Sequence, residues 1–245
     1  LIVVAGILVY LFVPGFKTIV RQDIDSPQGY IRDCVSEDVE EVIRKTSLQG
    51  GSLKPEASFL YQGTELEYLC YSNEYYDLCS VQIPFLKQHV EKEIKSGISE
   101  QVGKCFSSLK EDYEKRGYDV DIESGETNVN ILPEKVYIDL NRTVYLTNQG
   151  NSEKYNKFEI NLQNNLYKMT NIAESMVEWE SAYGTAEPSL YMNIYHDLVI
   201  YKKNQNDETT VYIIEDTVTG NKFQFASRSL AFPPGYGSPS DEMMQ

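Results

Sequence analysis

The chain has 245 residues and a formal net charge of −15, with 37 acidic and 22 basic side chains. Such an acidic surface repels phosphate backbones and anionic lipid headgroups, which argues against a nucleic-acid-binding protein. Hydrophobic residues make up 41% of the chain, enough for a sizeable core, and its 19 tyrosines supply much of the aromatic bulk.

The first element is an apolar run at residues 1–16 (LIVVAGILVYLFVPGF), which carries no charge and is closed by Lys17 and Arg21. A helix of this length would cover about 24 Å of a hydrocarbon core of about 30 Å, so we expect the segment to extend upstream. Pro14-Gly15 is expected to bend or end the helix. The run predicts a single-pass anchor or the apolar stalk of a filament subunit. A cleaved signal peptide or a buried core helix fits an uninterrupted terminal run less well.

Three helices are predicted from apolar residues that recur every three or four positions. The first begins at Ser26-Pro27, which suit an N-cap and a first helical position, and ends at Gly50-Gly51. The longest runs from Pro84 to Arg116-Gly117, with lysine and glutamate on its outer face. The third is predicted over residues 165–183.

Strands are predicted where the apolar period changes to two. A short hairpin occupies residues 57–72, and a strand-rich region begins at Tyr118. The later strands are predicted at residues 129–132, 135–140, 142–147, 157–162, 190–203, 209–216 and 222–227. This order of elements indicates an α+β fold with an antiparallel sheet and helices on one face.

We divide the chain into three parts. Residues 1–20 are predicted to form the hydrophobic anchor or stalk helix, and residues 21–232 one extracellular α+β domain. Residues 233–245, rich in proline, glycine and serine, are predicted to run extended over the surface.

Four cysteines, Cys34, Cys70, Cys79 and Cys105, allow three pairings, and none belongs to a C-x-x-C motif. Behind an anchor, an oxidising exterior is the natural compartment. Cys34 lies near the start of the first helix and Cys105 near the end of the longest, both within apolar stripes. Antiparallel packing of those helices would bring the two cysteines together, so we predict Cys34–Cys105 and a local Cys70–Cys79 bridge. Asn141 opens an N-R-T sequon and is a candidate glycosylation site.

Catalytic signatures are absent from the sequence: it contains no G-x-S-x-G, HExxH, Walker A or G-x-G-x-x-G motif. Two histidines and four cysteines that we expect to be oxidised leave little for nucleophilic or zinc catalysis. We interpret His89, beside the apolar stripe of the longest helix, as a boundary residue of the core. We therefore expect no catalytic residue and no cofactor. An extracellular hydrolase with carboxylate chemistry is a third-ranked hypothesis, because no acid pair stands out.

Two groups of residues are candidate ligand sites. The tyrosines Tyr68, Tyr71, Tyr75 and Tyr76 could form a glycan- or protein-binding patch, or equally a small satellite core.

The second group is Asp119, Asp121 and Glu123, whose alternation resembles a calcium loop. Ser124 and Asn130 stand where an EF-hand needs its glycine and its bidentate glutamate. The three acids would share the exposed face of a strand, so we expect no metal site and keep calcium as the weaker alternative.

Several features together resemble a family of uncharacterised single-pass surface proteins of small-genome archaea. They are the N-terminal apolar run, Tyr30 and Cys34 at the opening of a helix, Gln49-Gly50-Gly51, the tyrosine- and cysteine-rich segment 68–79, Pro84 before a long helix that reaches Cys105, and residues 225–229 leading to Pro233-Pro234-Gly235-Tyr236-Gly237. In that family the apolar run often follows a short basic stretch ending in Lys-Gly-Gln, similar to a class III type IV pilin leader. The resemblance implies processing and assembly like a pilin.

These observations predict a non-enzymatic cell-surface structural protein, either membrane-anchored or a pilin-like filament subunit, which presents an acidic, disulfide-stapled domain. Its expected partners are a membrane or identical subunits, contacted through residues 1–20. The alternative is an anchored receptor or adhesin that binds a glycan or a surface protein through the tyrosine-rich patch.

Overall fold

The computed structural model of the chain describes residues 26–231. That range contains four helices, α1 (Pro27–Leu48), α2 (Leu86–Lys115), α3 (Leu166–Tyr183) and α4 (Pro188–Ile194). It also contains twelve strands: β1 (Ser58–Tyr61), β2 (Thr64–Tyr71), β3 (Ser80–Val81), β4 (Asp119–Glu123), β5 (Thr127–Leu132), β6 (Lys135–Leu140), β7 (Thr143–Asn148), β8 (Asn151–Tyr155), β9 (Glu159–Gln163), β10 (Leu198–Asn204), β11 (Thr210–Asp216) and β12 (Lys222–Arg228). The predicted α+β class is confirmed. The predicted hydrophobic helix at 1–20 and the tail at 233–245 lie outside the described residues.

The strands form three sheets. The largest has the order β1-β2-β12-β11-β10, with β3 also paired to β2. The other two sheets have the orders β4-β7-β8 and β5-β6-β9. Most pairings are antiparallel, as predicted, but β2 pairs with β12 in parallel. The largest sheet is therefore mixed rather than purely antiparallel.

One predicted strand is wrong at its start, because residues 190–194 belong to helix α4 and only residues 198–204 form a strand. The helix begins where Glu187 accepts a hydrogen bond from the Ser189 amide at 3.2 Å, with Pro188 in the first helical turn. This cap satisfies an otherwise unpaired donor and pre-sets the backbone of the first turn. The alternating apolar residues of this segment therefore lie on a helix.

Contacts between Cα atoms divide the described chain into two compact units. The first contains residues 26–38, 98–128 and 138–160. The second contains residues 39–97, 129–137 and 161–231.

In the first unit, Phe106 of α2 packs against residues that flank strands β7 and β8. Phe106 and Phe158 are buried edge to face, with ring centroids 5.1 Å apart, and the Arg142 guanidinium lies 4.6 Å from the centre of the Phe106 ring. The disulfide Cys34–Cys105 joins α1 to α2 with a Cα–Cα distance of 5.9 Å. This is the pairing that the sequence predicted from antiparallel helices.

In the second unit, the largest sheet packs against α3 through β2, β3 and β12, and α4 packs against β10. A core cluster of Leu66, Tyr68, Val211 and Ala226 lies on this sheet. Tyr212 and Phe225 stack on neighbouring strands, 5.2 Å apart. All the residues of the candidate site described below belong to this unit.

Candidate binding face

The second disulfide closes a loop at the end of β2. Cys70 and Cys79 are both buried and bonded, with a Cα–Cα distance of 5.3 Å, again in the predicted pairing. Directly after the loop, β3 turns back onto β2, so that Cys70 faces Val81 and Tyr71 faces Ser80. Both ends of the loop are therefore fixed to the largest sheet.

The loop backbone is also bonded to the segment that follows β12. The Ser72 amide donates to the Arg228 carbonyl at 2.8 Å, and the Tyr76 amide donates to the Leu230 carbonyl at 2.7 Å. The Cys79 amide donates to Ser229 Oγ at 3.3 Å. Because its backbone groups are satisfied in this way, the loop holds its side chains in place with little entropy left to lose on binding.

The four candidate tyrosines separate into two pairs. Tyr68 is 7% exposed, its hydroxyl lies 2.8 Å from Thr209 Oγ1, and burial raises the pKa of its phenol. Tyr71 is half-buried with its ring edge on Tyr68 at 4.9 Å, so this pair belongs to the sheet core. Tyr75 and Tyr76 are 60% and 73% exposed. The structure thus places only the second pair on the surface.

Exposed apolar side chains continue beyond the loop. Of the thirteen large hydrophobic residues exposed within the described range, five lie between positions 75 and 85: Tyr75, Tyr76, Leu78, Val81 and Phe85. We call these five residues the aromatic face. Three of them lie within the loop closed by Cys70–Cys79, and Val81 and Phe85 follow it directly. Single exposed hydrophobic residues are ordinary, but such a concentration on one short segment is typical of an interaction site.

Two residues of this face have a left-handed backbone: the φ of Tyr76 is +65° and that of Phe85 is +57°. Bulky side chains rarely adopt this region. Phe85 is 70% exposed. Its carbonyl accepts the first hydrogen bond of α2, from the His89 amide at 3.1 Å. Glycine would adopt this backbone conformation without strain, and the exposed phenylalanine ring adds little to the core. The side chain therefore points to a role other than folding.

A groove of about 280 Å³ borders the aromatic face. Its floor consists of the buried side chains Leu69, Leu86 and Val177, and one wall is formed by Val81 and residues 83–85. Glu174 and Glu178 of α3 line the opposite side. Sequence reasoning missed this groove, because it joins residues of β2, α2 and α3 that lie far apart in the chain.

A polar cleft of about 360 Å³ lies beside the Gly50-Gly51 turn. Ser52 Oγ is 2.9 Å from His89 Nε2, and Glu93 accepts a hydrogen bond from the Leu53 amide at 2.7 Å. The Glu67 carboxylate likewise accepts from the amides of residues 56 and 57. These groups are engaged in holding the segment 52–57. His89 is half-buried at the core boundary, as predicted, although its bond to Ser52 was not.

The acidic candidates do not converge. Asp119, Asp121 and Glu123 occupy alternate, exposed positions of β4, opposite Thr147, Tyr145 and Thr143 of β7. Among residues 26–231 there is no group of three or more histidine, cysteine or acidic side chains that could hold a metal ion. The extended strand separates these carboxylates along the surface instead of folding them around one ion.

The sequon at Asn141 lies in the exposed turn between β6 and β7. The Asn141 amide donates to the Glu126 carbonyl at 2.9 Å, so the backbone of this turn is fixed. The position is accessible, and glycosylation there stays a prediction.

A buried polar network was not predicted from the sequence. The Glu180 carboxyl is 3% exposed and accepts hydrogen bonds from the Tyr212 hydroxyl and, at 3.2 Å, from the Ala186 amide. Burial raises the pKa of Glu180, although Tyr212 and the Lys202 ammonium partly offset the shift. Burial also raises the pKa of Tyr212 well above its ordinary value and lowers the pKa of Lys202. The network ties α3 to β10 and β11 and contacts no cavity described above.

Comparisons with protein-family models, with curated proteins and with solved structures find no match for this chain. Within residues 26–231, no helix has the length and apolar character needed to span a membrane. The two disulfides indicate an extracellular or secreted location, since such bonds persist in oxidising compartments.

Proposed function

We propose that this chain is a non-enzymatic extracellular binding protein whose aromatic face contacts a partner protein. The observation that carries the proposal is the concentration of exposed apolar residues on and directly after the loop closed by Cys70–Cys79. Tyrosine and phenylalanine held on a fixed backbone provide contact area at low entropic cost, as in known protein interfaces. The absence of catalytic motifs from the sequence agrees with a binding role.

Site-specific photocrosslinking on intact cells that display the full chain tests this proposal. A benzophenone side chain at position 76 of the full chain is expected to give a discrete protein adduct, and the same probe at Val218 is not. Val218 is a matched control because it is 80% exposed and lies in the turn before β12. The variant Tyr75→Ser with Tyr76→Ser should reduce binding of the isolated partner at least tenfold, because contacts of this kind dominate interfaces.

Two results would contradict this role. One is equal adducts from positions 76 and 218. The other is binding to a glycan array that disappears in the double serine variant, which would identify a carbohydrate receptor instead.

A second proposal concerns the apolar run at residues 1–16, which the sequence favours as a membrane anchor or pilin-like stalk. In this proposal residues 1–20 contact a membrane or identical subunits and the acidic domain is displayed at the cell surface. Deletion of residues 1–20 is expected to leave a folded, monomeric domain that no longer sediments with membranes or filaments. Electron microscopy of native cells then distinguishes a helical assembly from single anchored chains. A deletion product that unfolds would place the segment within the domain core.

A further inference from the structure

We propose that the groove beside the aromatic face receives one large apolar side chain of a partner protein, with a lysine or arginine next to it in the partner's sequence. This inference rests on the proposed binding function and adds the chemistry of the partner segment.

The size and floor of the groove favour a single apolar side chain. A volume of about 280 Å³ is slightly below the range typical of pockets for drug-sized ligands. The floor residues Leu69, Leu86 and Val177 offer no charged or amide group. Burial of an aliphatic or aromatic side chain against them is favourable in proportion to the apolar area removed from water.

The rim of the groove supplies the charge. Glu174 and Glu178 lie one helical turn apart on α3, half-buried and exposed respectively. No ion pair joins either carboxylate to a lysine or arginine of the described residues. Two carboxylates on a chain of net charge −15 attract a cationic segment and repel an acidic one.

Phe85 forms part of the wall opposite the two glutamates. This position accounts for an exposed phenylalanine at a positive φ. In this position its ring extends the apolar floor outward, where it covers the side of an inserted residue. The same backbone would accommodate glycine without strain, so the side chain is dispensable for folding but needed for the groove.

Other occupants fit these features less well. A glycan needs hydrogen-bond donors as well as acceptors around its rings, whereas the floor side chains provide neither and the two rim carboxylates are acceptors only. A second copy of this chain would bring another strongly acidic surface to the two glutamates. A basic, apolar protein segment satisfies both the floor and the rim.

Selection of random heptapeptides on phage against the immobilised full chain, at low ionic strength, tests the assignment. Enriched peptides are expected to carry an aliphatic or aromatic residue within two positions of a lysine or arginine. For a synthetic peptide of the enriched sequence, Glu174→Gln with Glu178→Gln should raise Kd about tenfold, because both carboxylates that attract its cationic residue are removed. Phe85→Gly should also raise Kd, without lowering the thermal midpoint.

The control variant is Glu37→Gln with Glu41→Gln, which removes two exposed carboxylates at the same spacing from α1. It should leave Kd unchanged. Three results would overturn the inference: no enriched peptide, enrichment of acidic or uncharged peptides, or equal Kd values for the chain and its Glu174/Glu178 variant. Failure of this kind is separable from failure of the binding function, because the photocrosslink at position 76 does not depend on the groove.

Discussion

Glu180 links the protonation of one buried residue to the stability of the fold. Its pKa is raised by burial, so the folded state binds this proton more tightly than the unfolded chain does. Binding of this proton stabilises the folded state. The stabilisation is complete when the pH is below the ordinary glutamate pKa of 4.5, and it is lost as the pH rises through the higher pKa of the folded state. Glu180 therefore makes the protein less stable as the pH increases from mildly acidic to neutral.

We predict that Glu180→Gln flattens this part of the stability profile. Glutamine keeps the size and an acceptor oxygen for Tyr212 but does not titrate, so the decrease in unfolding free energy above pH 4.5 should become smaller. Urea unfolding at several pH values between 4 and 8 measures the effect. Tyr212→Phe, which leaves the buried carboxyl without its hydroxyl donor, should cost about 2 kcal/mol at neutral pH.

Glu178→Gln is the matched control, because this glutamate lies on the same helix and is exposed. Its profile should parallel that of the unmodified chain. If Glu180→Gln gives the same pH profile as that control, the buried carboxyl is not the cause of the fall in unfolding free energy above pH 4.5.

At the scale of elements, the approach of α1 and α2 depends on Gly97. A methyl group there would lie 2.8 Å from Val42 Cγ1 and 2.7 Å from Leu53 Cδ1, closer than carbon atoms tolerate. Glycine thus allows the close packing in a helix interior, where it otherwise weakens the helix. Together with Cys34–Cys105, the contact shows that the residues of the two helices meet in antiparallel order.

We predict that Gly97→Ala destabilises the protein by about 1–3 kcal/mol through overpacking. Gly103→Ala on the same helix is the control, since no atom lies within 4 Å of the added methyl group. The second substitution should stabilise the protein by up to about 1 kcal/mol, the gain in helix propensity. Chemical denaturation of both variants gives the comparison. If both substitutions change the free energy of unfolding in the same direction, the close contact at Gly97 does not determine how near α1 and α2 approach.

The sequence could predict elements whose signals are local. Helix α1 is bounded within a few residues by its Ser26-Pro27 start and its Gly50-Gly51 stop. Helix α2 is marked by the long apolar stripe after Pro84, and the structure agrees with both predictions. Strand β8 (Asn151–Tyr155) carries almost no apolar residue, so no alternation marked it. The alternating apolar residues from Leu190 onward predict a strand where the structure has helix α4, because the cap at Glu187 is a weaker sequence signal than the alternation.

At the scale of the whole molecule, what was not predicted depends on contacts between distant residues. The tyrosine-rich segment was visible in the sequence, but which tyrosines are exposed depends on how β2 lies in its sheet. The groove needs β2, α2 and α3 together, and the Glu180 network needs α3, β10 and β11. No short window contains either set, whereas the Cys34–Cys105 pairing followed from two helical stripes and one packing rule.

The parallel pairing of β2 with β12 also determines when the fold can be completed. β12 is the last strand of the described chain, so during synthesis its partner β2 is made long before it. Until residues 222–228 emerge, β2 has one edge without its native neighbour, and unpaired edges promote aggregation. Closing so long a loop is slow, whereas the nine-residue separation of Cys70 and Cys79 closes quickly. The described part of the chain can therefore complete its largest sheet only after residues 222–228 are released.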